Sequence, residues 1–237
     1  MNHERQEKRD SNKSNRLVKN TFLLFISNFV SKILSFLMVP FYTSILSTSD
    51  YGTADLISTT VILVLPMFSV LMDEAAMRFA LDKATDKKQV FTFSLTLSTA
   101  GFFIVLAISP LILLFDSLRP YYWFAILYYV SLWLYNLFSN FAKGLDKFGI
   151  ITIAGIIHTL LYIGINIFTL VVLKLGIYGY LLATSVSNCI TAIYIFVVCG
   201  LYKYFTDIKK LDFKLGKEMV RYSLPMIPDY ISWWINN

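Results

Sequence analysis

Long apolar segments separated by short polar ones run through almost the whole chain. An α-helix rises about 1.5 Å per residue, so roughly 20 apolar residues span the hydrocarbon core of a bilayer. Six segments reach that length: residues 17–46, 52–81, 90–115, 121–142, 150–173 and 177–201. The pattern therefore predicts an all-α integral membrane protein, with a six-helix transmembrane bundle over residues 17–201.

The polar stretches around these segments predict the rest of the organisation. Residues 1–16 lack an apolar period and carry mixed charges, which is typical of a disordered tail. Residues 202–221 are basic and predict a linker outside the membrane. Residues 222–237 become apolar again and predict the start of a seventh helix.

The first apolar segment carries polar residues on one helical face. They recur at a spacing of about four residues: Ser27, Asn28, Ser31, Lys32 and Ser35. A lysine at the centre of a lipid-facing helix costs about 2.5–3.5 kcal/mol on insertion scales, so we expect this face to line a polar cavity. Lys32 then either contacts an anionic substrate or pairs with a carboxylate elsewhere in the bundle.

Composition and charge agree with a membrane protein. The chain is 57% hydrophobic and 15% charged, whereas about a quarter of the residues in a soluble domain are charged. The net charge of +6 does not indicate nucleic-acid binding, because the basic residues lie in the connections between apolar segments. Of the 21 lysines and arginines, only Arg119 and Lys174 fall in the loops of one side, and Lys32 lies within a helix. The positive-inside rule then predicts six spans with both ends in the cytoplasm.

Two later segments carry similar polar faces. The fifth has His158, Tyr162 and Asn166 at helical spacing, and the sixth has Asn188. Such side chains often join membrane helices through hydrogen bonds; the alternative is that the polar faces together line one cavity. His158 either titrates near neutral pH and takes part in proton coupling, or is a packed, hydrogen-bonded side chain.

Acidic residues mark both ends of the second segment. Asp55 lies about one turn inside it and either caps the helix or takes part in ion coupling. At the other end, Asp73, Glu74, Arg78 and Asp82 form a series at a spacing of about four. This spacing is typical of surface ion pairs; the alternative is that the series forms a gate.

Several kinds of site have no signature in the sequence. There is no glycine-rich ATPase loop, no metal-ligand spacing and no nucleophile elbow. Cys189 and Cys199 lie in one apolar segment, and we expect them to be small buried hydrophobic residues. The external connections are only a handful of residues long, too short for the catalytic loop of a membrane-embedded enzyme. We therefore predict a protein that is not an enzyme and uses no metal or cofactor.

Motifs along the chain are similar to those of a known family. They are Asn28, Lys32, Pro40, Tyr42-Thr43, Tyr51-Gly52 with Asp55-Leu56, Glu74 with Arg78-Phe79, and Arg221-Tyr222-Ser223-Leu224-Pro225 with Ile227-Pro228. The chain from residue 17 onward resembles the polysaccharide biosynthesis flippases, which transport lipid-linked oligosaccharides. These proteins belong to the MATE-like multidrug/oligosaccharidyl-lipid/polysaccharide (MOP) exporter superfamily.

The resemblance implies two six-helix lobes with the substrate held between them. It implies a flippase that moves an undecaprenyl-pyrophosphate-linked oligosaccharide across the bacterial plasma membrane by ion- or proton-coupled alternating access, for surface polysaccharide synthesis. Lys32 is then expected to offset the negative charge of the pyrophosphate in a cavity of low dielectric. The implied partners are the lipid bilayer, the lipid-linked glycan and the polysaccharide polymerase machinery.

On the same resemblance, this chain is the N-terminal lobe and residues 222–237 begin the second one. The other half is then the remainder of the same chain or a second copy. Two other functions stay open: a MATE-like exporter of small molecules, and a non-transporting scaffold of a glycan-assembly complex. The predicted cavity residues are Asn28, Ser31, Lys32, Ser35, Asp55, Tyr162, Asn166 and Asn188, and the predicted gate or ion-coupling residues are Glu74, Arg78 and His158.

Overall fold

The structure, a computed structural model, describes residues 33, 36 and 38–236. These residues are almost entirely helical and contain no β-strand, which confirms the predicted all-α fold. A first helical stretch, α1, covers residues 38–45. The helices that follow are α2 Thr48–Ser69, α3 Met72–Leu81, α4 Lys87–Ile108, α5 Tyr122–Gly144, α6 Phe148–Ile167, α7 Ile177–Val198, α8 Phe213–Ser223 and α9 Ile227–Asn236.

Several of these helices have the dimensions of membrane spans. Four described segments are long and apolar enough to cross a bilayer: Thr48–Ser69, Lys87–Leu114, Phe148–Val172 and Ile177–Val198. The helix α5 is equally long, with 23 residues, but its tyrosines and tryptophans make it less apolar. Most of the predicted first span lies outside the described residues, so the number of six spans stays a prediction.

The predicted second span, residues 52–81, is two helices rather than one. The helix α2 ends at Ser69 and α3 begins at Met72. Between them, Val70 (φ 53°) and Leu71 (φ 48°) adopt the left-handed conformation. This conformation is a genuine outlier for a β-branched residue, and such strain persists only where the surrounding structure holds it. The break therefore depends on tertiary packing.

The basic segment 202–221, predicted as a linker, includes most of the helix α8. The Asp212 side chain caps α8 by accepting a hydrogen bond from the backbone N–H of Lys214. Met219 is fully buried in the main core, and α8 packs against α3 and α4. This helix is amphipathic, so its charged residues face outward while its apolar side extends the core.

The main hydrophobic core lies at one end of the bundle, where α3, α4, α5, α7 and α8 meet. Its largest fully buried side chains are Met72, Phe91, Leu137, Phe141, Ile195, Leu201 and Met219. Both cysteines are free; Cys199 is buried as expected, whereas Cys189 is half-buried.

Three connections that the charge pattern assigns to one side of the membrane meet at this end. The Lys147 ammonium donates to the carbonyl oxygen of Cys199 at 2.5 Å. The Gln89 side chain donates to the carbonyl of Lys210 and accepts from the backbone N–H of Asp212, both at 3.0 Å. The loops after α3, α5 and α7 therefore lie together, as alternating spans require.

A glycine allows the end of α2 to lie directly against α4. An added Cβ at Gly101 would overlap the carbonyl oxygen of Phe68, whereas one at Gly164 on α6 would meet nothing within 4 Å. Helical alanine is favoured over glycine by roughly 0.5–1 kcal/mol, but overpacking costs typically about 1–3 kcal/mol.

We expect Gly101→Ala to lower the thermal unfolding temperature of the detergent-solubilised protein, because α2 and α4 must separate. Gly164→Ala is the matched control and should leave that temperature unchanged or raise it. Thermal unfolding followed by size-exclusion chromatography measures both. Equal behaviour of the two variants would show that the close approach of α2 to α4 is wrong.

Candidate functional site

The first candidate site is a row of tyrosine and histidine side chains that joins α1, α5, α6 and α7. We call Tyr42, Tyr135, His158, Tyr162 and Tyr180 the aromatic row. The Tyr42 hydroxyl donates a hydrogen bond to the Tyr162 hydroxyl at 2.7 Å, and the Tyr42 ring lies edge-on to that of Tyr180 at 5.1 Å between centroids. The His158 ring stacks on Tyr135 and Tyr162, at centroid distances of 5.1 and 6.4 Å.

Two asparagines add amide groups to this site. The Nε2–H of His158 donates to the Oδ1 atom of Asn188 on α7 at 2.9 Å, and Asn188 is buried. Asn166, one turn beyond Tyr162 on α6, donates to the Tyr162 carbonyl at 2.8 Å. The Oδ1 atom of Asn166 is buried and has no hydrogen-bond partner among the described residues. Such an open acceptor is costly in an apolar interior, so it is a position where a polar ligand group gains affinity.

Most hydroxyl groups of α6 and α7 donate hydrogen bonds within their own helix and do not connect it to another helix. Thr184, Ser187 and Thr191 each donate to a carbonyl of their own helix. Thr169 is different, because it also donates to the carbonyl of Gly179 on α7 at 3.1 Å. The helix-joining interpretation therefore holds for Thr169 and for the His158–Asn188 pair, but not for the whole polar faces.

The second candidate site is a group of charged and polar side chains on α3, α5 and α9. We call Asp73, Glu74, Asn140, Lys143 and Tyr230 the acidic cluster. The Asn140 amide donates to Asp73 Oδ2 at 2.9 Å and to Glu74 Oε1 at 3.4 Å. The Lys143 ammonium donates to Asn140 Oδ1 at 2.9 Å, and the Tyr230 hydroxyl donates to Glu74 Oε1 at 3.1 Å.

The break between α2 and α3 places the two carboxylates. Asp73 and Glu74 fall in the first turn of α3, where the helix dipole favours negative charge. An unbroken helix would carry these residues along the direction of α2; the left-handed pair at Val70 and Leu71 redirects the chain. Asp73 and Glu74 thereby reach Asn140 on α5.

A cavity of about 360 Å³ adjoins the acidic cluster. One wall is apolar and comes from Ile62, Leu65, Pro66, Leu71 and Leu132. Its polar lining consists of Ser69, Asp73, Glu74, Asn136, Asn140 and Tyr230. The Ser69 hydroxyl is buried and has no hydrogen-bond partner in the described part of the chain. The cavity is thus lined by two carboxylates and by a serine whose hydroxyl group has no hydrogen-bond partner among the described residues.

The predicted site residues fall into several groups. His158, Tyr162 and Asn166 share one face of α6, and Asn188 of α7 contacts His158. Glu74 lies in the acidic cluster with Asp73, so these two carboxylates turn toward α5 and are not part of a surface ladder. The remaining predicted positions are Asp55 and Arg78, which are both exposed, and Asn28, Ser31, Lys32 and Ser35, which lie outside the described residues.

Tyr180, Tyr230 and Lys143 are among the residues of these sites that were not predicted from the sequence. Tyr180 and Tyr230 have no distinguishing spacing, since interfacial tyrosines are common in membrane proteins. Lys143 lies in the last turn of α5, and its sequence position does not distinguish it from the many other basic residues near a membrane surface. The signal for Lys143 was its position three residues after Asn140, which places both on one helical face.

Comparisons with known proteins identify a family and a shared fold. The family model described as "Polysaccharide biosynthesis protein" matches residues 17–237. A search of curated proteins gave no significant match.

Three solved structures share the fold. A MATE protein crystallised in complex with MaD3S has a TM-score of 0.72 at 17% identity, over 92% of this chain and 53% of that one. An outward-facing multidrug resistance MATE transporter of the MOP superfamily has a TM-score of 0.61 at 15% identity, over 90% and 50%. A MOP superfamily transporter from Pyrococcus furiosus, described as having a binding pocket of reverse polarity, has a TM-score of 0.65 at 15% identity, over 92% and 52%.

This chain thus spans about half the length of the solved structures that it matches. The family match covers nearly all of it. The chain belongs to the polysaccharide biosynthesis protein family, and its fold is that of about half of a MATE protein.

Proposed function

We propose that the chain forms one lobe of a flippase that moves an undecaprenyl-pyrophosphate-linked oligosaccharide across the bacterial plasma membrane, for surface polysaccharide synthesis. The observation that carries this proposal is the half-buried aromatic row with its two buried asparagines, among apolar helices of a chain in this family. Polar groups inside a membrane are costly and mark substrate or ion paths. Tyrosine hydroxyls, imidazole and amides supply the donors and acceptors that sugar hydroxyls require.

The transport mechanism in this proposal is alternating access. MATE-like chains of twice this length have two lobes, and substrate sites in such transporters lie at the interface between structural repeats. The second lobe is supplied by the same gene product or by a second copy. The lipid tail remains in the bilayer while the glycan passes the polar faces, and Lys32 offsets the charge of the pyrophosphate.

The proposed orientation of the chain across the membrane is based on the charge pattern. The loops after α3, α5 and α7 lie at one end and carry most of the basic residues between spans. By the positive-inside rule this end faces the cytoplasm, which places the N-terminus there too. The polysaccharide polymerase machinery is the proposed recipient of the cargo on the opposite side.

A second candidate function is export of small molecules. The fold likeness to a multidrug resistance MATE transporter favours it. An intramembrane lysine disfavours cationic drugs as cargo, because it repels them. A non-transporting scaffold of a glycan-assembly complex is the third candidate, and it requires no polar path.

The first test removes the amide that pairs with His158. We expect Asn188→Leu to impair complementation of a strain that lacks the gene, because it leaves the imidazole unpaired. Losing a buried partner costs about 1–3 kcal/mol, which corresponds to a change of roughly 5- to 150-fold in an equilibrium constant. The readouts are surface polysaccharide and accumulated lipid-linked repeat units. The control is Thr184→Val on the same helix, where the hydroxyl bonds only its own backbone; equal complementation by both variants would contradict the role of the aromatic row.

The second test separates a transporter from a scaffold. We expect the triple variant Lys32→Ala, Asp55→Ala, Arg78→Ala to lose complementation while its amount in the membrane stays normal, since a flippase needs charged groups on its path. Full complementation by this variant, at equal membrane level on an immunoblot, would favour the scaffold. The matched control is the triple variant Lys174→Ala, Asp116→Ala, Arg119→Ala, which removes the same charges from the connections.

A further inference from the structure

The acidic cluster holds an uncompensated negative charge. Both carboxylates accept hydrogen bonds from neutral donors, the Asn140 amide and the Tyr230 hydroxyl. The Lys143 ammonium donates its hydrogen bond to Asn140 Oδ1 and not to a carboxylate. Two carboxylates and one lysine leave a net side-chain charge of −1, of which the N-terminal dipole of α3 offsets a part; adjacent half-buried carboxylates are unfavourable unless a positive charge joins them.

Ser69 provides an independent indication of a ligand. Only 3% of its surface is exposed, its hydroxyl has no partner among the described residues, and it lines the same cavity as Asp73 and Glu74. Elsewhere in the bundle a buried serine satisfies itself on its own helix, as Ser185 does by donating to the carbonyl of Leu181 at 2.8 Å. The Ser69 oxygen is therefore a neutral ligand left open beside two charged ones.

The break between α2 and α3 is a third feature that favours a positively charged ligand in this cavity. The last carbonyl groups of a helix lack intrahelical partners and form the negative end of its dipole. Here α2 ends at Ser69, at the edge of the cavity. Interrupted helices in membrane transporters use such carbonyl ends to hold cations. The two carboxylates and Ser69 at the end of α2 thus line one space.

We propose that Ser69, Asp73, Glu74 and Asn136 form a binding site for one monovalent metal cation of the sodium class, at the break between α2 and α3. Oxygen ligands are those that hard cations prefer, and the net charge of −1 matches a single positive charge. A proton shared by the carboxylates would neutralise the charge without using Ser69, so the open hydroxyl favours a metal ion. Binding itself does not depend on the transport proposal, but a role of the ion in coupling rests on it.

The site also touches the start of the next helical unit. Tyr230 of α9 donates to Glu74, and Tyr230 lines the cavity. An ion at this place competes with that hydroxyl for Glu74 or is coordinated beside it. In both cases its occupancy acts directly on the contact between α9 and α3.

The test is binding of ²²Na⁺ to the purified full-length transporter in detergent at fixed pH. Asp73→Asn and Glu74→Gln keep the size of each side chain and remove its charge, and Ser69→Ala removes the open oxygen. We expect each acidic variant to bind at least about tenfold more weakly, as is typical when a metal ligand or its partner is lost. Ser69→Ala should weaken binding by a smaller factor.

Two matched controls accompany these variants. Glu218→Gln removes a carboxylate that is exposed on α8. Ser94→Ala removes another fully buried hydroxyl with no partner among the described residues, on α4 away from the cavity. Both should bind sodium like the parent protein. As a second readout, sodium chloride should raise the unfolding temperature of the parent protein relative to choline chloride, and this gain should vanish in the acidic variants.

Three results would overturn the site: unchanged sodium binding by the double variant Asp73→Asn, Glu74→Gln; no sodium binding by the parent protein; or stabilisation that depends on pH alone, which would indicate a proton. If an acidic variant is not monodisperse, sodium binding by Ser69→Ala alone decides whether the site is correct. Complementation of the deletion strain separates the two proposals. Normal glycan export without sodium binding contradicts the cation site alone, whereas sodium binding without any glycan phenotype contradicts the flippase alone.

Discussion

The hydrocarbon interior of a bilayer offers no hydrogen-bond partners, so each polar group in a spanning helix must find one within the protein. This constraint explains why so many hydroxyl groups here donate to a carbonyl of their own helix, as those of Thr184 and Ser185 do. The polar groups that reach another helix are fewer and more informative. Among the described residues, His158, Tyr42 and Asn140 make such contacts within the two candidate sites, and Thr169 makes one outside them.

The helix α5 connects the two sites. It packs against α3 on one side and α7 on another, and consecutive residues serve different sites: Tyr135 stacks on His158, while Asn136 lines the cavity beside the acidic cluster. Asn140, one turn further, bonds Asp73. Because these residues share one rigid helix, a rotation of α5 moves both sites together. The richness of α5 in aromatic and amide side chains, which makes it less apolar than its neighbours, follows from this double role.

The sequence predicted the helices well and their interruptions poorly. Apolar periodicity is a strong signal for long segments, and it located α4 to α7 within a few residues. The break at Val70 and Leu71 had no signal, because neither residue is a glycine or proline and the strain is held by tertiary contacts such as that of Gly101 with Phe68. The spacing of the acidic series left surface ion pairs and a gate as alternatives for the same reason: spacing shows which residues share a face, but not where a broken helix turns that face. The sequence did not predict the helix α8, because its many charged residues leave only a narrow apolar side around Met219.

The hydrogen bond between Tyr230 and Glu74 connects the acidic cluster to the helix α9. A hydroxyl donates more strongly to a charged carboxylate than to a neutralised one, so the charge state of Glu74 sets the strength of the hydrogen bond between α9 and α3, while α9 itself packs against α2. Any positive charge that enters the adjoining cavity weakens this contact or replaces it. Since a ligand shifts a conformational equilibrium only through its differential affinity for the two states, the difference must arise at a contact that changes between them. The hydrogen bond between α3 and α9 is a contact through which such a difference can act, because it connects the charge beside this cavity to the position of α9.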